Sequence, residues 1–178
     1  VILSAQALES ARILLNSKTD QAPNGLANSS GVLGHYLMDH LWVAGGAKGE
    51  FPELAKYMKA SAKSPDRPDG IYLVRFRNTK DSSHPGFLRG YGFQGGGESA
   101  AFRMGAPGFG EAYKKGVLDP LITLSLAGFG EVLPYYENFV EIDRNVNDVY
   151  GIPVLKFHVK WGENEKKMAA EMYDMAAP

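Results

Sequence analysis

The sequence contains no cysteine. Without thiols the chain can form neither disulfides nor zinc–thiolate sites, and it has no cysteine nucleophile. The absence is compatible with both the cytoplasm and the periplasm and does not choose between them.

Long apolar runs and a surplus of charge are also missing. No stretch approaches the roughly 18 apolar residues that span a bilayer. The net charge is −1, from 19 basic and 20 acidic side chains, so no broad field attracts nucleic acid or an anionic membrane. We therefore expect neither a nucleic-acid partner nor a membrane span.

Several catalytic patterns are absent as well. The chain has no Gly-x-Ser-x-Gly nucleophile turn and no Gly-Lys-Ser/Thr phosphate loop, which disfavours hydrolases and nucleotide kinases. Its four histidines have no metal-like spacing with carboxylates, so we expect no metal site.

What is present is the composition of an ordinary folded protein: 178 residues, of which 44% are hydrophobic and 22% charged. This length suffices for one domain with its own core, or for one domain and part of another. The first residues include no initiator methionine and no basic leader, and we expect the chain to be an internal segment of a longer protein.

The apolar pattern predicts a strand-to-helix unit at the start. Residues 1–3 have the character of the end of a buried strand, and from Ser4 the apolar positions recur at helical spacing. Doubly wound folds bind nucleotides at such a junction. Residues 17–31 are rich in Asn, Ser and Gly and predict a loop.

The remainder predicts strands that are not separated by regular crossover helices. We expect strands at residues 40–47, 71–77, 87–94, 121–132 and 153–161, short helices at 32–38, 51–62 and 110–116, and a final helix at 163–175. Gly128 and Gly130 suggest a bulge or a close backbone approach. This order predicts an α+β fold with a mostly antiparallel or mixed sheet and flanking helices.

Three segments together carry a family resemblance. They are residues 4–15 (SAQALESARILL), residues 28–40 (NSSGVLGHYLMDH), and the pair 128–131 (GFGE) and 151–153 (GIP). In this order they resemble the middle of glucose-methanol-choline oxidoreductases, which are FAD-dependent. The last pair is most similar to the branch of pyranose oxidases and glycoside 3-dehydrogenases.

The resemblance implies a division of the chain and two missing ends. Residues 1–38 would be the remnant of a Rossmann-like FAD-binding domain and a linker, and residues 39–178 the substrate-binding domain. The family's Gly-x-Gly-x-x-Gly turn lies before this segment. Its catalytic histidine, with a second His or Asn, lies beyond Pro178, so no catalytic residue is expected within the chain and the segment alone should be inactive.

The resemblance also implies cofactor contacts at the strand-to-helix junction, where small residues would let the backbone approach the FAD nucleotide. The residues concerned are Ser4, Ala5, Gln6 and Ala7. Gln6 replaces the glycine usual at its position, and plain helix packing is the alternative role for this stretch.

Six residues are candidates for substrate binding. His40 would bond substrate hydroxyls and Trp42 would stack on a sugar face, with burial in the core as the alternative for each. Arg75 needs a carboxylate or a polar ligand, and pairing with Glu131 would satisfy it. Tyr72 and Gln94 add polar contacts to a polyol.

The function that follows is oxidation of a CH–OH group of a sugar or glycoside by hydride transfer to the flavin. Oxygen, a quinone or a cytochrome would accept the electrons, and the sequence does not choose among them. The alternatives are a carbohydrate-binding domain without a cofactor and a structural α+β domain.

Overall fold

The computed structural model describes residues 2–43, 48–50, 70–100, 106–118 and 121–176. Within these ranges, three helices and two antiparallel sheets form an α+β fold, as the sequence predicts. In chain order the elements are α1 (Gln6–Asn16), β1 (His40–Val43), β2 (Lys48–Glu50), β3 (Gly70–Leu73), β4 (Tyr91–Ala100), α2 (Glu111–Leu118), β5 (Leu121–Glu131), β6 (Phe139–Asn147), β7 (Pro153–His158) and α3 (Glu163–Ala176). No helix in the described ranges is long and apolar enough to cross a bilayer.

The chain divides into two compact units. The first comprises Val1–Asp39 and Val132–Gly162, and the second comprises His40–Glu131 and Glu163–Pro178. The sequence predicts a boundary after residue 38 between a cofactor domain and a substrate domain. This division stays a prediction.

The first unit is built on the hairpin of β6 and β7, against which α1 packs. Arg12 of α1 donates from Nη2 to Asp148 Oδ2 at 2.7 Å and from Nε to the carbonyl of Pro153 at 2.8 Å. Asp148 Oδ1 in turn accepts the backbone N–H groups of Tyr150 and Ile152. One helix residue and one turn residue thus hold the end of the hairpin through charge-assisted hydrogen bonds.

The predicted helix at residues 32–38 is wrong. Gly34 and Tyr36 have positive φ, and the segment runs beside the start of β6. The N–H of Val140 donates to the carbonyl of Gly34, and the N–H of Leu37 donates to the carbonyl of Asn138. These long-range hydrogen bonds outweigh a helical preference that only two turns would express.

The second unit is a five-stranded antiparallel sheet in the order β1-β5-β4-β3, with β2 also paired to β5. Helix α3 packs on β1 and β5 and buries Met168 and Met172. A Cβ added to Gly128 would lie 2.6 Å from the sulfur of Met172, and one added to Gly130 would lie 2.5 Å from its Cε. The close approach predicted at these two glycines is confirmed.

The other predicted elements agree in part. The helices at 110–116 and 163–175 are confirmed, whereas residues 2–3 form no strand, since no described strand pairs with them. The strand expected at 87–94 begins later and continues through Gly95–Gly97 to Ala100. Its glycines allow the backbone of β5 to come close, with a Cβ at Gly95 overlapping the carbonyl of Ser125. The helix expected at 51–62 lies outside the described residues.

Gly130→Ala should destabilise the protein by about 1–3 kcal/mol, because the methyl group forces the methionines of α3 away from the sheet. Urea unfolding of the purified protein measures this. The matched control is Gly70→Ala, whose Cβ would meet its nearest atom only at 3.9 Å. Equal losses in the two variants would contradict the role of close packing.

Asp148→Asn should lower the unfolding temperature at neutral pH and have little effect in acid. Arg12 and the N–H of Ile152 hold the pKa of Asp148 below its ordinary value. The carboxylate therefore stabilises the fold above the unfolded-state pKa, and this contribution is lost as the pH falls through the folded pKa. The unfolding temperatures of both proteins, measured from neutral to acidic pH, test this expectation. Arg12→Met should weaken the same pH dependence, because only the backbone N–H groups of Tyr150 and Ile152 then bond the carboxylate, and an undiminished dependence in that variant would contradict the pairing.

Candidate functional site

A cavity of about 450 Å³ lies in the second unit, and we call it the sheet cavity. Strands β1, β4 and β5, together with the segment from β3 to Arg75, supply its lining. The lining residues are His40, Tyr72, Arg75, Gly90, Tyr91, Gly92, Gln94, Phe129, Gly130 and Glu131.

Strand register explains why side chains distant in sequence converge here. His40 is paired directly with Glu131, Tyr72 with Gln94, and Gly92 with Phe129. Paired residues of an antiparallel sheet project from the same face, and alternate residues from opposite faces. Phe129 therefore lies on the face opposite to the glycines that contact α3.

Arg75 and Glu131 form an ion pair with 2.8 Å between Nη1 and Oε1. This is the pairing that the sequence suggested for Arg75. Their side chains are 39% and 45% exposed, so solvent screens the pair and its contribution to stability is small, about 0–1 kcal/mol. Its importance lies in the matched opposite charges that it places in the cavity.

Two glycines leave the space that the cavity occupies. A Cβ at Gly90 would lie 2.6 Å from Nε of Arg75, and one at Gly92 would lie 2.7 Å from the carbonyl of Leu73. Any side chain at these positions would collide with the cavity wall or with the arginine. Sequence reasoning missed both glycines, although their alternation with Tyr91 along a strand was a usable signal.

Tyr91 belongs to a polar cluster that the sequence did not predict. Its hydroxyl lies beside Arg77 and Glu171, which form an ion pair of 2.5 Å, and His84 Nε2 lies 3.1 Å from Glu171. Burial raises the pKa of Tyr91 to about 12, and the Glu171 carboxylate acts in the same direction. Tyr91 therefore remains a neutral phenol at ordinary pH. Nothing in the sequence of the final helix indicated that Glu171 would be partly buried.

Five of the six predicted substrate-binding residues line the sheet cavity, and Trp42 does not. Trp42 is 57% exposed, and its ring is nearly parallel to that of Phe129, with centroids 6.1 Å apart. His40 meets Phe129 edge-on at 6.0 Å. Phe129, which sequence reasoning overlooked, is thus the aromatic centre of the site. Its position two residues before Glu131 in a strand would have indicated their common face.

The predicted cofactor contacts lie in the first unit, at the beginning of α1. Ser4, Gln6 and Ala7 are exposed there, and Ala5 is half-buried. Gln6 has φ of +55°, in the left-handed region that favours glycine, and its Oε1 accepts the N–H of Leu8 at 2.6 Å. The backbone thus adopts a glycine-like conformation in spite of the substitution. Small exposed residues here fit a close approach by a flat or anionic group.

A second cavity, of about 390 Å³, lies in the first unit. It contains Lys18, His35 and Arg144 and is lined by none of the residues that the sequence predicts to bind substrate or cofactor. No group of three or more potential metal ligands occurs within the described ranges. The sheet cavity therefore remains the stronger candidate for a functional site.

The sequence is similar to those of dehydrogenases. It is 30% identical over 182 residues to the 2-methyl-1,2-propanediol dehydrogenase of Mycolicibacterium austroafricanum, and 25% identical over 187 residues to the fructose dehydrogenase large subunit of Gluconobacter japonicus. These alignments cover 97% and 95% of the chain, which spans 31% and 30% of the two relatives, about a third of their length. No protein-family model matches the chain.

Proposed function

We propose that the protein containing this chain oxidises a CH–OH group of a small sugar, glycoside or related polyol, using FAD, and that the sheet cavity holds the substrate. The carrying observation is the convergence of hydrogen-bonding side chains from several strands around the ring of Phe129. Ligand sites combine an apolar surface with a few placed polar groups in this way. The two relatives support the reaction class, since their names describe the oxidation of a diol and of a sugar.

The roles of the residues follow from their chemistry. Gln94 and Tyr72 can donate to and accept from substrate hydroxyls, and His40 can do the same from β1, on the other side of β5. Phe129 offers an apolar face to the C–H groups of a sugar ring, and Trp42 extends that aromatic surface. These side chains would bind and orient the carbinol carbon for reaction.

The bound FAD would accept the hydride from that carbon. Ser4, Ala5, Gln6 and Ala7 would contact the nucleotide part of the cofactor, because their small side chains and the left-handed Gln6 leave the backbone accessible. The group that removes the hydroxyl proton belongs, in this proposal, to the rest of the protein, and the 178 residues alone would bind no flavin tightly. In the same proposal, residues 1–38 belong to the cofactor domain and 39–178 to the substrate domain.

The proposal is tested by purifying the full-length protein and recording its visible spectrum before and after anaerobic addition of sugars and diols. A flavin spectrum that bleaches with a polyol supports the proposal. A protein that binds polyols but carries no flavin would instead be a carbohydrate-binding protein, and the proposal would be wrong.

Trp42→Ala should raise KM for a neutral sugar several-fold and leave the flavin content unchanged, because the ring of Trp42 lies nearly parallel to that of Phe129 in the cavity wall and an aromatic pair contributes on the order of 1 kcal/mol. Steady-state kinetics and the ratio of flavin to protein absorbance measure the two quantities. The matched control is Trp161→Ala, which removes another half-exposed tryptophan that belongs to the first unit. Loss of flavin with unchanged sugar kinetics would contradict the stacking role.

A further inference from the structure

The sheet cavity carries its charges as one matched pair. Among the described residues that line it, Arg75 is the only lysine or arginine and Glu131 the only carboxylate. The guanidinium of Arg75 donates to Glu131 at 2.8 Å, so the positive charge is neutralised within the cavity itself. A ligand that enters meets hydrogen-bonding groups and an aromatic ring, with no uncompensated charge.

The position of Arg75 does not depend on Glu131 alone. Its Nη2 donates to the carbonyl of Asn78 at 2.6 Å, and its Nε donates to the carbonyl of Arg77 at 3.2 Å. Gly90 leaves the space that the side chain needs. Two of the three hydrogen bonds that the guanidinium makes to described residues thus go to backbone atoms, which remain if Glu131 is changed.

The segment that provides these carbonyls is itself well braced. Asn78 has φ of +50°, and its Nδ2 donates to the carbonyls of Phe87 and Arg89. Its Oδ1 accepts the N–H of His84 at 2.6 Å. The side chain of Asn78 thus closes the loop of residues 78–89 through three hydrogen bonds. The carbonyl of Asn78 that accepts from the Arg75 guanidinium is therefore held in place.

We propose that Glu131 determines substrate specificity by masking Arg75, so that the site accepts uncharged polyols and gives no advantage to sugar acids. The proposal rests on the proposed function of the sheet cavity and adds its substrate class. When the carboxylate is replaced by an amide, Arg75 keeps its place and presents an unpaired charge, which a carboxylate of the ligand can meet. Charge-assisted hydrogen bonds of this kind are among the stronger contacts in proteins.

The test is Glu131→Gln in the full-length protein, with matched neutral and acidic ligands. Suitable pairs are glucose with glucuronate, and propane-1,2-diol with lactate. We expect the ratio of acid to neutral affinity to rise by about tenfold, the effect of one additional charge-assisted contact on a binding constant. Because the pair is half-exposed, the gain should shrink as salt is added.

Two variants separate masking from general damage. Arg75→Met combined with Glu131→Gln removes the guanidinium and should abolish the gain for acids. Glu163→Gln makes the same chemical change at the exposed partner of Lys166, which does not line the cavity, and should leave the acid-to-neutral ratio unchanged. A rise in this control equal to that in Glu131→Gln would overturn the proposal.

Affinity is measured by ligand-induced shifts in unfolding temperature as well as by KM, so the result does not depend on turnover. An unchanged ratio in Glu131→Gln, in a protein that still binds or oxidises the neutral ligand, overturns the specificity proposal alone. A raised ratio in a protein that lacks flavin supports the masking role and contradicts the proposed oxidation. A wild-type protein that prefers the acids overturns the masking role directly.

Discussion

The close contact between α3 and β5 is the constraint on which the second unit depends. Met168 and Met172 occupy the space that side chains at Gly128 and Gly130 would fill. Burial of two methionine side chains contributes about 1.5–3 kcal/mol each, and it covers one face of the sheet at β1 and β5. With that face committed to the core, the opposite face is free to carry Phe129 and Glu131.

The same arrangement links the cavity to parts of the chain that lie far away in sequence. Glu171 of α3 pairs with Arg77, and the backbone carbonyl of Arg77 supports Arg75. Asn164, near the start of α3, makes hydrogen bonds in both directions with the backbone of Leu88. The helix therefore serves as the core of the unit and as the anchor of the loop that carries the arginine support.

Local pattern was sufficient for some features of this chain. The alternation around β5 and the helical period of α3 predicted these elements, and the glycines predicted the close packing. The pairing of Arg75 with Glu131 was predicted from the cost of an unpaired buried charge, although both side chains are in fact half-exposed. The helix expected at 32–38 does not form, because this segment makes hydrogen bonds to Asn138 and Val140 at the start of β6. These partners lie more than 100 residues away in the sequence, where no local pattern reveals them. The strand at 87–94 was misplaced because glycine usually weakens a strand, whereas here it lets two backbones meet.

The site was predictable only to the extent that chemistry could be assigned residue by residue. His40, Tyr72, Gln94 and Glu131 were chosen for their polar groups, partly with the help of a family resemblance. The role of Phe129 as their common neighbour depends on the register of β1, β4 and β5, which no local signal fixes. Trp42 was expected in the wall and instead lies beside that ring, outside the lining of the cavity.

The strict alternation of β5 also limits how such a protein can evolve. A one-residue insertion within this strand would exchange the faces of residues 128–131, placing the phenylalanine and the glutamate against the methionines and the glycines in the sheet cavity. The helix packing and the cavity lining would be lost together. The cavity lining can therefore change by substitution at positions 129 and 131, whereas changes of length must be confined to the loops beyond the strand.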